Sequence, residues 1–185
     1  MFYNHGMEKL PLIPYANKLC VLVAPNHRAA GMLEVVASLA LRGSLRVFDG
    51  GNHFNVLVVA RSLRRSTVRV EQLLERIFIA RAFTCHQMES MLGSAPDVRY
   101  PTLVIDLLNT FYDESVRDAE SHGLLLACIQ HLKRLSQHAP VIVSAGSSPK
   151  PGSRTKLVEA LLDASDLAWE LEPAPVKNLQ SALWS

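Results

Sequence analysis

Short apolar runs alternate with amphipathic stretches along almost the whole chain, and this alternation limits the possible folds more than any other feature. The spacing predicts strands at Lys18–Val23, Ser44–Asp49, Arg76–Arg81, Thr102–Asp106, Pro140–Ser144 and Leu167–Glu172. Helices are expected at Met32–Arg42, about Asn55–Leu63, Val70–Glu75, Thr84–Leu92, Glu120–Gln137 and Lys156–Asp163. Leu33, Val36, Ala37 and Ala40 share one face of the first helix. Gly43 is placed to end that helix, and Thr84 to cap the fourth. Strands that read as unbroken apolar runs are buried on both faces. Joined by helices, they form an α/β fold with a mostly parallel sheet covered on both sides. Such sheets bind ligands beyond the carboxyl ends of their strands. Chemistry is therefore expected within Ala24–Gly31, Asp49–His53, Asp106–Asp113 and Ser144–Ser148.

The chain has 185 residues, a length that suits one domain, expected over 1–172, with a tail over 173–185. No uninterrupted apolar stretch approaches the ~18 residues of a membrane span, so no membrane partner is expected. Met1 to Lys9 contains Asn4, His5 and Glu8 and lacks the apolar centre of a secretory signal. A cytoplasmic location is the corresponding expectation. Cys20, Cys85 and Cys128 lie in apolar stretches and read as buried, reduced thiols. Their spacing lacks the close pairs of a zinc site. A formal net charge of +2 is too small to argue for nucleic acid by itself.

The loop after the first strand carries the sharpest functional signal. Ala24-Pro25-Asn26-His27-Arg28-Ala29-Ala30-Gly31 lies between a buried strand and a helix. A phosphate-binding loop, G-x-x-x-x-G-K-[ST], occupies the same setting. Here Ala24 and Ala29 stand in the glycine positions, Ala30 in the lysine position and Gly31 in the hydroxyl position. The helix start still offers backbone N–H groups and a positive dipole end, and Arg28 could add a charge. The opposing reading is a solvated loop of Asn26, His27 and Arg28, with Pro25 setting its entry.

Three further segments carry a resemblance. Arg76-Ile77-Phe78-Ile79-Ala80-Arg81-Ala82-Phe83-Thr84, followed by Gln87-Met88, is similar to a third-strand segment of archaeal and eukaryotic recombinases. Val47-Phe48-Asp49-Gly50-Gly51-Asn52-His53-Phe54 resembles their second-strand segment, and Leu103-Val104-Ile105-Asp106 their Walker B strand. The chain thus resembles the ATPase core of the RecA/RadA recombinases and their paralogues over roughly residues 15 to 172. The resemblance implies a RecA-like P-loop fold with strand order 5-1-4-3-2. In that order the third strand separates the second from the fourth, so Asp49 and Asp106 are not expected to be neighbours. It also implies an ATP-magnesium site that this chain has largely lost. Ala30 replaces the phosphate-binding lysine, Gly31 the magnesium-binding hydroxyl, and Gly51 the catalytic glutamate. The polar sensor of the fifth strand falls near Ser144 or Ala145. Only Asp106 remains of the main hydrolytic groups. Phosphoryl transfer is mostly positioning and charge stabilisation. Each lost group removes about 3 kcal/mol of transition-state stabilisation.

The expected function is that of a non-hydrolysing, recombinase-like accessory protein in DNA recombination or repair. It would bind DNA, a competent recombinase-like partner or a second copy of itself, with no catalytic residues and no required cofactor. Asn26, His27, Arg28, Gly31, Asp49 and Asp106 form the degenerate nucleotide site. By the same resemblance, Lys150, Arg154 and Lys156, around the loop after the fifth strand, could touch DNA phosphates. One alternative is an ATP-binding protein that uses Arg28 and Asp106. Another is a metal-dependent phosphohydrolase built on Asp49 and Asp106. Arg61, Arg64, Arg65 and Arg69 recur at helical spacing and read as a solvated face. His86, His122, His131 and His138 are scattered, although the last two could share a helix face. In the tail, Val176, Leu179, Leu183 and Trp184 are expected either to dock on the domain or to face a partner. Phe2, Tyr3 and Tyr15 could add to a contact between neighbouring cores.

Overall fold

A computed structural model describes residues 17–24, 29–112, 116–146 and 155–170. Six strands alternate with six helices: β1 (Leu19–Ala24), α1 (Ala29–Ala40), β2 (Leu45–Asp49), α2 (Val56–Arg64), α3 (Val70–Leu74), β3 (Ile77–Arg81), α4 (Cys85–Ser94), β4 (Thr102–Ile105), α5 (Asp118–Ser136), β5 (Val141–Gly146), α6 (Thr155–Ala164) and β6 (Leu167–Glu170). A 3-10 turn, Leu107–Phe111, follows β4. All pairings are parallel, within one sheet of order β3-β2-β4-β5-β1-β6.

The α/β class and parallel sheet match the sequence expectation; the order 5-1-4-3-2 in these strand labels does not. β2 pairs directly with β4, with Arg46 opposite Thr102 and Asp49 opposite Ile105. β3 lies outside β2, at the sheet edge. The burial of the strands explains the difference. Val47, Leu103, Val104 and Ile105 are inaccessible to water, whereas Phe78 and Ile79 of β3 are about half exposed (50% and 44%). A strand with that much open surface belongs at the edge. Continuous apolar character favours the interior.

The period of two along the central strands divides the core into two layers. Val21, Val104, Val141 and Val143 face α4, α5 and α6, where Met88, Leu92, Leu125, Cys128 and Leu132 complete one cluster. Leu22, Val47, Leu103 and Ile105 face the other side, against Val36, Ala37, Val59 and Leu63 of α1 and α2. Two helices start on side-chain caps. Asn55 Oδ1 accepts from the N–H groups of Leu57 and Val58. Thr84 Oγ1 accepts from Gln87 N–H, and Gln87 Oε1 accepts in return from Phe83 N–H. This exchange is close to a capping box.

Several boundaries differ from expectation. α1 begins at Ala29 rather than Met32, which puts Gly31 inside the helix. Gly43 donates to the Leu39 carbonyl at 3.1 Å without a left-handed φ. β5 continues past Ser144 to Gly146, paired with β1 throughout. His138 lies beyond the end of α5, so it does not share a helix face with His131. The N-terminal segment and the tail lie outside the described residues.

All three cysteines are buried and unbridged. Burial pushes the Cys20 thiol from its ordinary 9.0 up to about 11, and that of Cys128 up to about 12. The thiolate is the reactive form, so both are expected to resist iodoacetamide at pH 8 until the chain unfolds, as followed by mass spectrometry. Between pH 9 and 11 the unfolded chain releases protons that the folded chain retains. Stability therefore falls as pH rises through that window, and less steeply in a Cys20→Ala/Cys128→Ala variant. Leu103→Ala, at the centre of the sheet, is expected to cost about 3 kcal/mol in urea unfolding.

Candidate functional site

Direct pairing of β2 with β4 places their carboxyl ends side by side. Asp49 closes β2, and Asp106 follows β4 immediately. Between Asp49 and α2 the chain turns back through Gly50-Gly51-Asn52, with Asn52 at φ 53°. Gly50 N–H donates to the Ile105 carbonyl at 2.8 Å, which holds the turn against β4. The approach is so close that a Cβ on Gly50 would lie 2.9 Å from the Asp106 carbonyl oxygen. A Cβ on Gly51 would lie 2.2 Å from His53 Cδ2 and 2.8 Å from Asp106 Oδ2. A side chain at Gly50 would collide with the Asp106 backbone, and one at Gly51 would have to displace the His53 ring.

Asp49 is fully buried, and its carboxylate is surrounded by donors. Oδ1 accepts from His53 N–H at 3.0 Å. Oδ2 accepts from Phe54 N–H at 3.0 Å and from Arg81 Nε at 3.1 Å. Arg81 also donates through Nη2 to the Phe54 carbonyl at 2.9 Å. The edge strand β3 thus supplies the counter-charge for a carboxylate at the end of β2. These charge-assisted bonds make Asp49 an anchor for the turn.

Asp106 has a left-handed backbone, φ 53° and ψ 53°, a conformation that aspartate tolerates better than most residues. Its N–H donates to Ser144 Oγ at 2.9 Å, and its carbonyl accepts from Asn109 N–H at 3.1 Å, starting the 3-10 turn. Oδ1 accepts from Gly146 N–H at 3.1 Å, so the end of β5 fixes the carboxylate. Tyr112 donates its hydroxyl to the Gly146 carbonyl at 2.9 Å. His53 Nε2 lies 3.2 Å from Asp106 Oδ2. His53 therefore binds Asp49 through its backbone and Asp106 through its ring.

The two aspartates, expected to be separated by a strand, are thus joined by one residue. Ser144, expected near the sensor position, holds the Asp106 backbone. Gly31 sits in the first turn of α1, with open space around it. Lys156 is exposed at the start of α6, and Arg61, Arg64, Arg65 and Arg69 are exposed around α2. Asn26, His27, Arg28, Asp113, Lys150 and Arg154 lie outside the described residues. The roles of Arg81, Gly146 and Tyr112 were not foreseen. Arg81 lies opposite Asp49 in the β2–β3 register, which the chain pattern alone does not specify.

A magnesium ion at these strand ends would need carboxylate oxygens directed towards it. Asp49 already meets three donors, and Asp106 meets Gly146 N–H and the His53 ring. Among the described residues, no three His, Cys, Asp or Glu side chains group to hold a metal ion. The donor set here does not fit the magnesium implied by the resemblance, nor a two-aspartate metal centre. Compared with models of known protein families and with curated proteins, the chain matches none.

Asp49→Asn is expected to lower stability by about 2 kcal/mol, because an amide cannot accept all three donors. Arg81→Ala should cost less, since Arg81 is partly exposed. A double-mutant cycle in urea should show positive coupling between the two.

Proposed function

We propose that this chain is a non-hydrolysing, RecA/recombinase-like accessory protein that acts by contact with a catalytically competent recombinase-like partner, or with DNA. The observation that carries this reading is a strand-end site filled by the protein's own groups. His53 lies over Asp106, and Arg81 and two backbone N–H groups surround Asp49. Gly51 stands where the resemblance would put a catalytic glutamate, and the His53 ring occupies the space that its Cβ would take.

The sheet order supports the same reading. If β3 is set aside as an added edge strand, the other five can be renumbered in chain order. The observed order then reads 5-1-4-3-2 from the β6 side. The strand leading into the degenerate loop and the strand ending at Asp106 stand on either side of β5. A well-kept scaffold around a filled site suits a binding role better than turnover. The Ala30 and Gly31 substitutions argue in the same direction.

Two measurements test the reading. Purified chain should show no ATP hydrolysis above background with magnesium. Tagged chain should retain a recombinase-like protein, or bind DNA with an affinity that falls as salt rises. ATP turnover, or failure to bind both DNA and every recombinase-like partner tried, would reject it.

A further inference from the structure

We propose that Arg61, Arg64, Arg65 and Arg69, at the end of α2 and on the turn that follows it, form a surface for the phosphate backbone of duplex DNA. This deepens the DNA arm of the function proposed above, and rests on it, by naming the face that meets the phosphates. Three observations carry it. First, all four arginines are exposed, and the stretch from Gly50 to Val70 contains no aspartate or glutamate. Second, among the described residues none of the four forms an ion pair, whereas Arg81, Arg117 and Arg134 are each paired with a carboxylate. Third, Arg64 and Arg65 follow Arg61 by three and four residues, so all three share the solvent face of α2, while Val59, Ala60 and Leu63 face the core.

Like charges at that spacing repel and cost stability. Arg61 and Arg64 lie in the last turn of α2, where a cation also suits the helix dipole. Arg69 lies beyond the reach of that effect. The turn that carries it is ordered by its own hydrogen bonds. The N–H groups of Ser66 and Thr67 both donate to the Leu63 carbonyl, at 2.9 and 3.0 Å, and Arg69 N–H donates to Thr67 Oγ1 at 3.1 Å. The guanidinium groups therefore start from fixed backbone positions. All four cations are arginine, whose planar fork meets phosphate oxygens in pairs. Ser66, exposed between them, adds a hydroxyl of the kind that also contacts phosphates. Leu57 and Val68 are exposed at opposite ends of the stretch, and no aromatic residue lies between Asn55 and Val70. Single strands are gripped by stacking on aromatic rings, and protein partners by an apolar centre depleted of charge. The chemistry here fits a duplex held through its backbone, without reading of its sequence.

The test follows the fluorescence anisotropy of a labelled DNA duplex of about 20 base pairs, titrated with the full chain at several salt concentrations. The quadruple variant Arg61→Gln/Arg64→Gln/Arg65→Gln/Arg69→Gln should lose at least tenfold in affinity. It should also flatten the slope of log affinity against log salt by about 3.6, the value for four phosphate contacts. Arg65→Gln/Arg69→Gln should flatten it by about half as much. Both variants should melt no lower than wild type, because removing like charges relieves repulsion. Arg117→Gln, the same change at an arginine paired elsewhere, should bind as wild type does. If wild type binds the duplex and the quadruple variant binds equally well, the arginine surface is rejected and the DNA arm stands. If wild type binds no DNA, both are rejected, and the partner arm is decided by retention of a recombinase-like protein. Arginine-dependent binding that is tighter to phosphatidylserine vesicles or to polyglutamate than to the duplex would overturn the proposal. So would a lower melting temperature in both variants, which would show that the arginines serve the fold.

Discussion

The architecture of the strand-end site depends on burying the Asp49 carboxylate at the end of an interior strand. A carboxylate taken out of water is tolerated only when its oxygens are met by donors and its charge by a cation. The turn after β2 supplies two N–H groups, and the edge strand supplies Arg81. Each contribution has a structural consequence. The N–H groups fix the path of the chain from Asp49 to Phe54, and so the position of the His53 ring. Arg81 links β3 to that turn through the Phe54 carbonyl. Pairing along β3 is thereby reinforced at its carboxyl end.

The opposite end of β2 solves the same problem with the opposite charge. Arg46 is 8% exposed, and desolvation lowers its pKa from the usual range. Its guanidinium donates to Thr102 Oγ1 of β4 and to the Pro96 carbonyl, and it lies 5.4 Å from the centre of the Phe48 ring. β2 therefore carries a buried cation at its amino end and a buried anion at its carboxyl end. Each is satisfied mainly by hydrogen bonds to neighbouring strands and turns. The Arg46 bonds are specific to the register Arg46–Thr102 with β4, and the Arg81 bond to the register Asp49–Arg81 with β3. A slip by one residue would turn both charges to the other face of the sheet. Buried polar groups here help to fix one pairing out of several that apolar residues alone would accept.

Much of the fold could be read from the sequence, because the apolar runs of β1, β4 and β5 state that these strands are covered on both faces. The sheet order could not be read in the same way. β3 has the composition of an interior strand, with Ile77, Phe78 and Ile79 in succession, yet it lies at the edge. Composition reports how apolar a segment is, and the number of neighbours that cover it depends on tertiary packing. The site follows from that order: with β3 at the edge, Asp49 and Asp106 meet at adjacent strand ends, a juxtaposition that an interior β3 would prevent. The Gly50-Gly51-Asn52-His53 run did hold a readable signal. Two glycines and an asparagine after a strand indicate a tight reversal, and a reversal there returns the next side chain to the strand ends.

The same reversal also bears on the second carboxylate, Asp106, which is mostly buried at the neighbouring strand end. A charge placed there penalises the fold unless other groups approach it. Here the compensation is local. Gly51 has no side chain, the space above it is taken by an imidazole, and the imidazole meets Asp106. A glutamate at position 51 and the His53 ring would compete for one volume, so the glycine and the histidine are best understood as a pair. Through its backbone and its ring, His53 thereby ties the carboxyl end of β2 to that of β4.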